Sequence, residues 1–288
     1  MTGRGNRGPA PPPVPPADPT LSSHPVPRRR TFQIRSFGPG SAADIQDTTR
    51  PFSVLDQAAN RESYTGPGDY RETEDVRRLL EEVDNWAETQ FRDDEEPGPV
   101  DRTWGYYVFL TSYSDATRGQ LPQAMENWVT VQQRMLSHAE TLPELREEAR
   151  RRFKLDLIED QQELENASDD RIRENFRAFL KNQDLTREED RFPPQARFNV
   201  CLVLDEAKVK MLAGLQFLDE HIQEFIAFRR ETVKAIDANW DRSRAAGSSY
   251  HGVGNVSING LQRLYLLITS GANTGAMEDL HPLNGFPR

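Results

Sequence analysis

The sequence predicts an α+β domain: a ferredoxin-like split β-α-β sandwich of about four strands, with helices packed on one face. Three observations predict it. After residue 70, strand-like runs alternate with helical patterns in the order β-α-β-α-β-α-β-α. The run Trp104-Gly-Tyr-Tyr-Val-Phe-Leu-Thr-Ser-Tyr113 is the densest aromatic stretch of the chain and is largely apolar on both faces, which suits a central strand. The run Phe153-Lys-Leu-Asp-Leu-Ile-Glu159 instead alternates apolar with charged residues, the pattern of a strand with one face toward water. Such a strand argues for a sheet open to water on one side or for a covered edge, and favours a partly antiparallel sheet. A small doubly wound α/β sheet is the alternative.

In order along the chain, residues 1–70 read as a disordered, Pro-rich N-terminal extension. Nine of the 20 prolines fall in the first 30 positions, and such runs prefer extended polyproline II. Hydrophobic residues make up 36 % of the chain, below the roughly 45–50 % of an average globular protein, as a disordered part beside a folded one requires. The basic cluster Arg28-Arg29-Arg30 reads as part of this solvated tail. Residues 71–288 read as one domain, irregular after 270.

Val76, Leu79, Leu80, Val83, Trp86 and Phe91 recur at helical spacing and predict a helix over about 72–91. The aromatic strand follows, with Trp104, Tyr106, Val108 and Leu110 on one face and Tyr107, Phe109 and Thr111 on the other. A helix over about 121–137 carries Leu121, Met125, Trp128 and Met135 on its stripe, with Pro122 in its first turn. A short charged helix over 142–152 feeds the 153–159 strand. Ser168 caps the next helix, whose stripe is Ile172, Phe176, Phe179 and Leu180. Residues 198–204 form a third strand, and Asp205-Glu206 starts a short helix. Residues 217–228 fit helix or loop, and Thr232 to Trp240 leans to strand. Gly247 to Gly254 reads as a loop. Ser257 caps a last helix carrying Ile258, Leu261, Leu264 and Tyr265.

The formal net charge of −10 disfavours nucleic acid and anionic membranes as partners, since phosphate contacts need clustered Lys and Arg. No apolar run approaches the roughly 18 residues that span a bilayer. Met1 to Arg30 lacks the apolar core of a signal peptide. The lone Cys201 excludes an intramolecular disulfide, and the expected compartment is cytosol or nucleus.

No P-loop, G-x-G-x-x-G, G-x-S-x-G or H-E-x-x-H pattern is present, and no metal site or cofactor is predicted. The five histidines lie far apart, without metal-ligand spacing; His251, in a Gly-rich loop, is the binding candidate among them. Cys201 sits mid-strand and reads as a buried, unactivated thiol. Strand-end carboxylates are the remaining constellation. Asp156 and Asp160 lie on and after one strand, and Asp205 ends another. Gathered on one sheet edge, they would suit acid/base or divalent-metal chemistry. Used singly, they would cap the helices that follow. Tyr106, Phe109 and Trp128 could line a ligand cavity beneath the sheet, with Trp104 beside them, or simply fill the core.

Trp104-Gly105-Tyr106-Tyr107-Val108-Phe109, with Phe153 to Asp160, Cys201 to Glu206 and Val233 to Trp240, resembles a group of filamentous-fungal proteins without an assigned activity. Their domains open with a W-G-[FY]-x-[IV]-[YF] strand. The resemblance covers roughly residues 101–280 and implies a fold and a fungal source, not a mechanism. Leu110 stands where many of those sequences carry Arg, which removes a polar group.

The sequence therefore favours a non-enzymatic interaction or ligand-binding module. The match Pro12-Pro13-Val14-Pro15-Pro16 offers a P-x-x-P docking string to a protein partner. An enzyme using Asp156, Asp160 and Asp205 is the alternative.

Overall fold

The computed structural model describes residues 27–34, 70–88, 101–139, 141–183, 195–240 and 251–270. Pro12, Pro15, the acidic run at 93–96 and the tail after 270 lie outside the described residues.

Among the described residues the sheet has six strands, in the order β1-β3-β2-β4-β5-β6. They are β1 (Arg28–Gln33), β2 (Trp104–Leu110), β3 (Phe153–Glu159), β4 (Val200–Leu204), β5 (Thr232–Asp237) and β6 (Val253–Ser257). The central trio β3-β2-β4 is parallel, while β1, β5 and β6 join antiparallel. The α+β class is the one the sequence predicts, but the arrangement is larger and differs in detail. β2 and β3 are immediate neighbours, where a split β-α-β unit would seat a strand between them. Helices cover both faces rather than one.

β2 is central because all seven of its residues are buried. Its first face, Trp104, Tyr106, Val108 and Leu110, is continued by Phe153, Leu155 and Leu157 of β3 and Leu202 and Leu204 of β4. Over it lie α1 (Tyr70–Glu88), α2 (Asp115–His138), α3 (Pro143–Arg152) and α9 (Leu261–Ser270), packed on one another. Tyr265 of α9 meets Trp104 and Tyr106 edge-on at 6.1 and 6.2 Å, and Trp104 Nε1 donates to Ala149 O of α3 at 2.6 Å. Each such side chain contributes about 1.5–3 kcal/mol by leaving water. Asp84 of α1 accepts from Arg102 and Arg152 at 2.9 and 2.6 Å, fastening α1 to this layer.

The opposite face is covered by α5 (Asp169–Asn182), whose Phe176 and Phe179 pack on Tyr107 and Phe109. Arg173 and Arg177 of α5 donate to the carbonyls of Asp237 and Ala238 at 2.8 and 2.5 Å, clamping the end of β5. The remaining helices are α4 (Gln161–Leu164), α6 (Ala196–Asn199), α7 (Glu206–Ala213) and α8 (His221–Arg230).

Gly105 explains the Trp-Gly step. Its φ is +123°, and a Cβ there would lie 1.9 Å from Lys154 O on the adjacent strand. Gly252 likewise has φ +71°, and its Cβ would strike the Trp240 ring at 2.4 Å.

Several expectations are corrected. Arg28-Arg29-Arg30 is not a solvated tail but the start of β1, inside the range assigned to the extension. Arg29 and Arg30 pair with Asp156 and Glu159 of β3, which offsets the charge that made it look like tail. The 153–159 strand has no wet face, because β1 and the residues described below cover Lys154 and Asp156. Helix α2 starts six residues earlier than expected, since Ser114 accepts from Thr117 N at 3.1 Å and Asp115 suits the helix dipole; Pro122 therefore sits inside it. Of the expected Gly247–Gly254 loop, positions 247–250 lie outside the described residues and Val253 and Gly254 belong to β6, which ends at Ser257, so Ser257 does not cap α9.

Candidate functional site

The predicted acids are dispersed. Asp160 is the N-cap of α4, accepting from Glu163 N at 3.2 Å. Asp205 is the N-cap of α7, accepting from Lys208 N at 2.8 Å. Asp156, on β3 as expected, is fully buried among cations. The aromatic candidates are also separated. Trp104, Tyr106 and Trp128 are buried on the first side, where Trp128 Nε1 donates to Ile258 O at 3.2 Å, while Phe109 faces α5 on the second. His251 is exposed, and its carbonyl accepts from Arg173 at 3.5 Å.

The C-terminal ends of β2 and β4 mark the point where the chain departs in opposite directions across the sheet. Open α/β sheets place ligands in that crevice. Here the protein's own polar groups bond to one another. Ser112 and Ser114 donate to Glu206 at 3.4 and 3.0 Å, Ser112 meets Thr117 at 3.0 Å, and Thr111 N donates to Leu204 O at 2.9 Å. Tyr113 Oη accepts from Asp160 N at 2.8 Å and donates to Leu110 O at 3.0 Å; burial pushes its hydroxyl well above the usual tyrosine range.

A cluster of buried charge lies on the second face, between β1, β3 and α6. Asp156 accepts from Arg29 at 2.8 Å, from Thr31 at 2.5 Å and from Arg197 Nη2. The Arg197 guanidinium lies over the Tyr107 ring at 4.2 Å, a cation–π contact in a desolvated setting. Lys154 donates to Asp101 in front of β2. Burial, then the Arg197 charge, pushes the Lys154 ammonium down to about 8, against the pull of Asp101. Burial pushes the Asp101 carboxyl up, but Lys154 and Arg197 outweigh it and hold the group below its ordinary value. Lys154 and Arg197 are 9 % and 1 % exposed at their side chains, while Arg29 and Asp101 are 36 % and 46 % exposed, so the cluster reaches solvent at two ends. Sequence reasoning missed Arg29 and Arg197, which are 127 and 41 residues from Asp156 along the chain. The one signal was the charged residues inside an otherwise apolar strand.

The histidines, scattered in sequence, include one spatial pair. His138 at the end of α2 and His221 at the start of α8 stack with ring centroids 3.6 Å apart. Burial, and then the neighbouring imidazole, lowers the His138 pKa. Among the described residues, no three His, Cys, Asp or Glu side chains are placed to share a metal ion.

Helix α8 is held from its inner side. Glu224 is buried and accepts from Arg134 of α2 at 2.7 Å and from Leu218 N at 3.0 Å. Phe228 is buried against Phe217. The outer side carries Ile222, Phe225 and Ile226, which are 68 %, 41 % and 46 % exposed. No helix among the described residues is long and apolar enough to cross a membrane.

Comparison with protein-family models, with curated proteins and with solved structures finds no match to this chain.

Proposed function

We propose that the domain is a non-enzymatic protein-interaction module that docks a partner along the outer side of α8. One observation carries this. Of the five large hydrophobic side chains exposed among the described residues, four (Leu218, Ile222, Phe225 and Ile226) fall within nine consecutive positions. A helix that rests on one apolar side gains nothing from a second one facing water, and clustered exposed apolar groups mark interaction surfaces. The occupant is a different protein rather than a second copy, because two chains of net charge −10 repel. It offers an apolar stripe to Ile222 and Phe225, with an acidic group toward the exposed Arg230 at the end of the helix.

The Pro-rich string with Pro12 and Pro15 belongs to the same reading, as a second contact recruiting a proline-binding domain in the cytosol or nucleus. The resemblance to the fungal group adds no activity to it.

The test is a pull-down with the full chain against the double variant I222E/F225E. The expected result is loss of the captured partner with an unchanged melting temperature. Retention of the same partners would overturn the reading, and so would a fall in melting temperature of the kind core variants show. Light scattering over a concentration series separates a foreign partner from self-association. Deleting residues 1–26, which leaves β1 in place, separates the contribution of the Pro-rich string.

A further inference from the structure

We infer that the buried cluster under β1 is a binding site for a small oxyanion, a carboxylate or inorganic phosphate, held by Arg197 and Lys154. The inference is independent of the α8 reading. Arg197 is 1 % exposed, and among the described residues only its Nη2 has an acceptor. Among the same residues its Nε and Nη1 are buried with no hydrogen-bond partner. Leaving donors of a charged group unmet in a low-dielectric interior is costly, and such groups are satisfied in native proteins.

The charge balance points the same way. The buried side chains are Arg197, Lys154 and Asp156, two cations against one anion. Arg29 and Asp101 add one of each at the solvent ends. The unmet demand is therefore for acceptor oxygen carrying negative charge. Asp156 does not supply it, since it meets Arg197 through Nη2 alone and already accepts from Arg29 and Thr31 as well. A bound oxyanion would satisfy the free Arg197 nitrogens and offset the mutual repulsion of Arg197 and Lys154. Arg29 and Asp101, at 36 % and 46 % exposure, are where the cluster meets solvent.

Arg197 is held for this task from behind. Its guanidinium rests on the Tyr107 face, and its one protein acceptor lies on the central β3 strand. A planar fork fixed on two rigid strands is pre-organised for an oxyanion.

The experiment is thermal unfolding and calorimetric titration of the full chain with sodium phosphate and, separately, sodium acetate, each against sodium chloride at matched ionic strength. The expected result is a saturable rise in melting temperature with one or both oxyanions and none with chloride. The two arms show which oxyanion the site prefers. Lys154→Met leaves the Arg197–Asp156 pair intact and is expected to weaken binding roughly tenfold or more, as loss of a charged donor does. Arg197→Lys, which keeps the charge but loses the fork, is expected to weaken it as well. No saturable effect in the wild-type chain would mean that water satisfies Arg197 and would overturn the inference. An undiminished effect in both folded variants would overturn it too.

Discussion

The two faces of the central strands make a sharp contrast. On one, Trp104, Tyr106, Val108, Phe153, Leu155 and Leu157 lie under α3 and α9 as an apolar surface whose few polar atoms, such as Trp104 Nε1, are met by backbone carbonyls. On the other, one residue away along the same strands, Lys154 and Asp156 are buried as well. The difference shows what alternation means physically. A charge on every second residue says that one face is polar, not that it is wet. Whether that face meets water depends on whether the chain can bring compensating charge to it.

The largest effect is expected on the apolar side. Trp104→Ala is expected to cost about 3–5 kcal/mol, because it opens a large cavity and strands the Ala149 carbonyl. Urea unfolding measures this, and a cost under about 1 kcal/mol would mean that the aromatic strand is not the packing centre. On the charged side, Asp156→Asn is expected to cost about 3 kcal/mol or more, since it leaves Arg197 buried without its counter-charge. Replacing the pair together, as Asp156→Leu with Arg197→Met, is expected to recover most of that loss. If the double variant is no better than the single, the charges are not what the site balances.

A smaller effect is expected from pH. Lys154 has a folded pKa of about 8 against an ordinary value of 10.5. Below pH 8 it is protonated in both states and its burial opposes folding. Between about 8 and 10.5 the native protein sheds a proton that the unfolded chain keeps, so this group's contribution to stability improves as pH rises. Wild type is therefore expected to gain on Lys154→Met by the order of a kcal/mol across that window, read from paired unfolding curves. A constant difference would show that the ammonium is not desolvated. Last, burial pushes the Cys201 thiol well above its usual range on the same charged face. It is expected to react with a thiol reagent at neutral pH only as fast as the protein unfolds, in contrast to an activated cysteine. An immediate reaction in the native state would place it at the surface.

Much of the secondary structure was legible because it follows local pattern. The aromatic run, the α5 stripe with Phe176 and Phe179, and the caps Ser168 and Asp205 all appear where the residue types and spacing put them. What was not legible lies at the edges. Arg28-Arg29-Arg30 resembles a tail until Asp156 and Glu159 stand opposite it, and Val253-Gly-Asn-Val-Ser257 is too short and polar to declare itself without β5 alongside. The candidate acids separated because two of them serve backbone N–H groups three residues ahead, a local use that outcompetes any distant one.

By itself, then, the chain determined that there would be an α+β domain, that β2 would lie at its centre, and that Cys201 would sit within a strand. These depend on side-chain period and apolar content, which act over a few residues. Tertiary structure alone decided that β1 closes the sheet, that Arg197 meets Asp156, that His138 stacks on His221, and that α8 turns Ile222 and Phe225 outward. Those outcomes rest on contacts between residues far apart in the chain. Their strength comes from the low dielectric and close packing that exist only once the fold has formed.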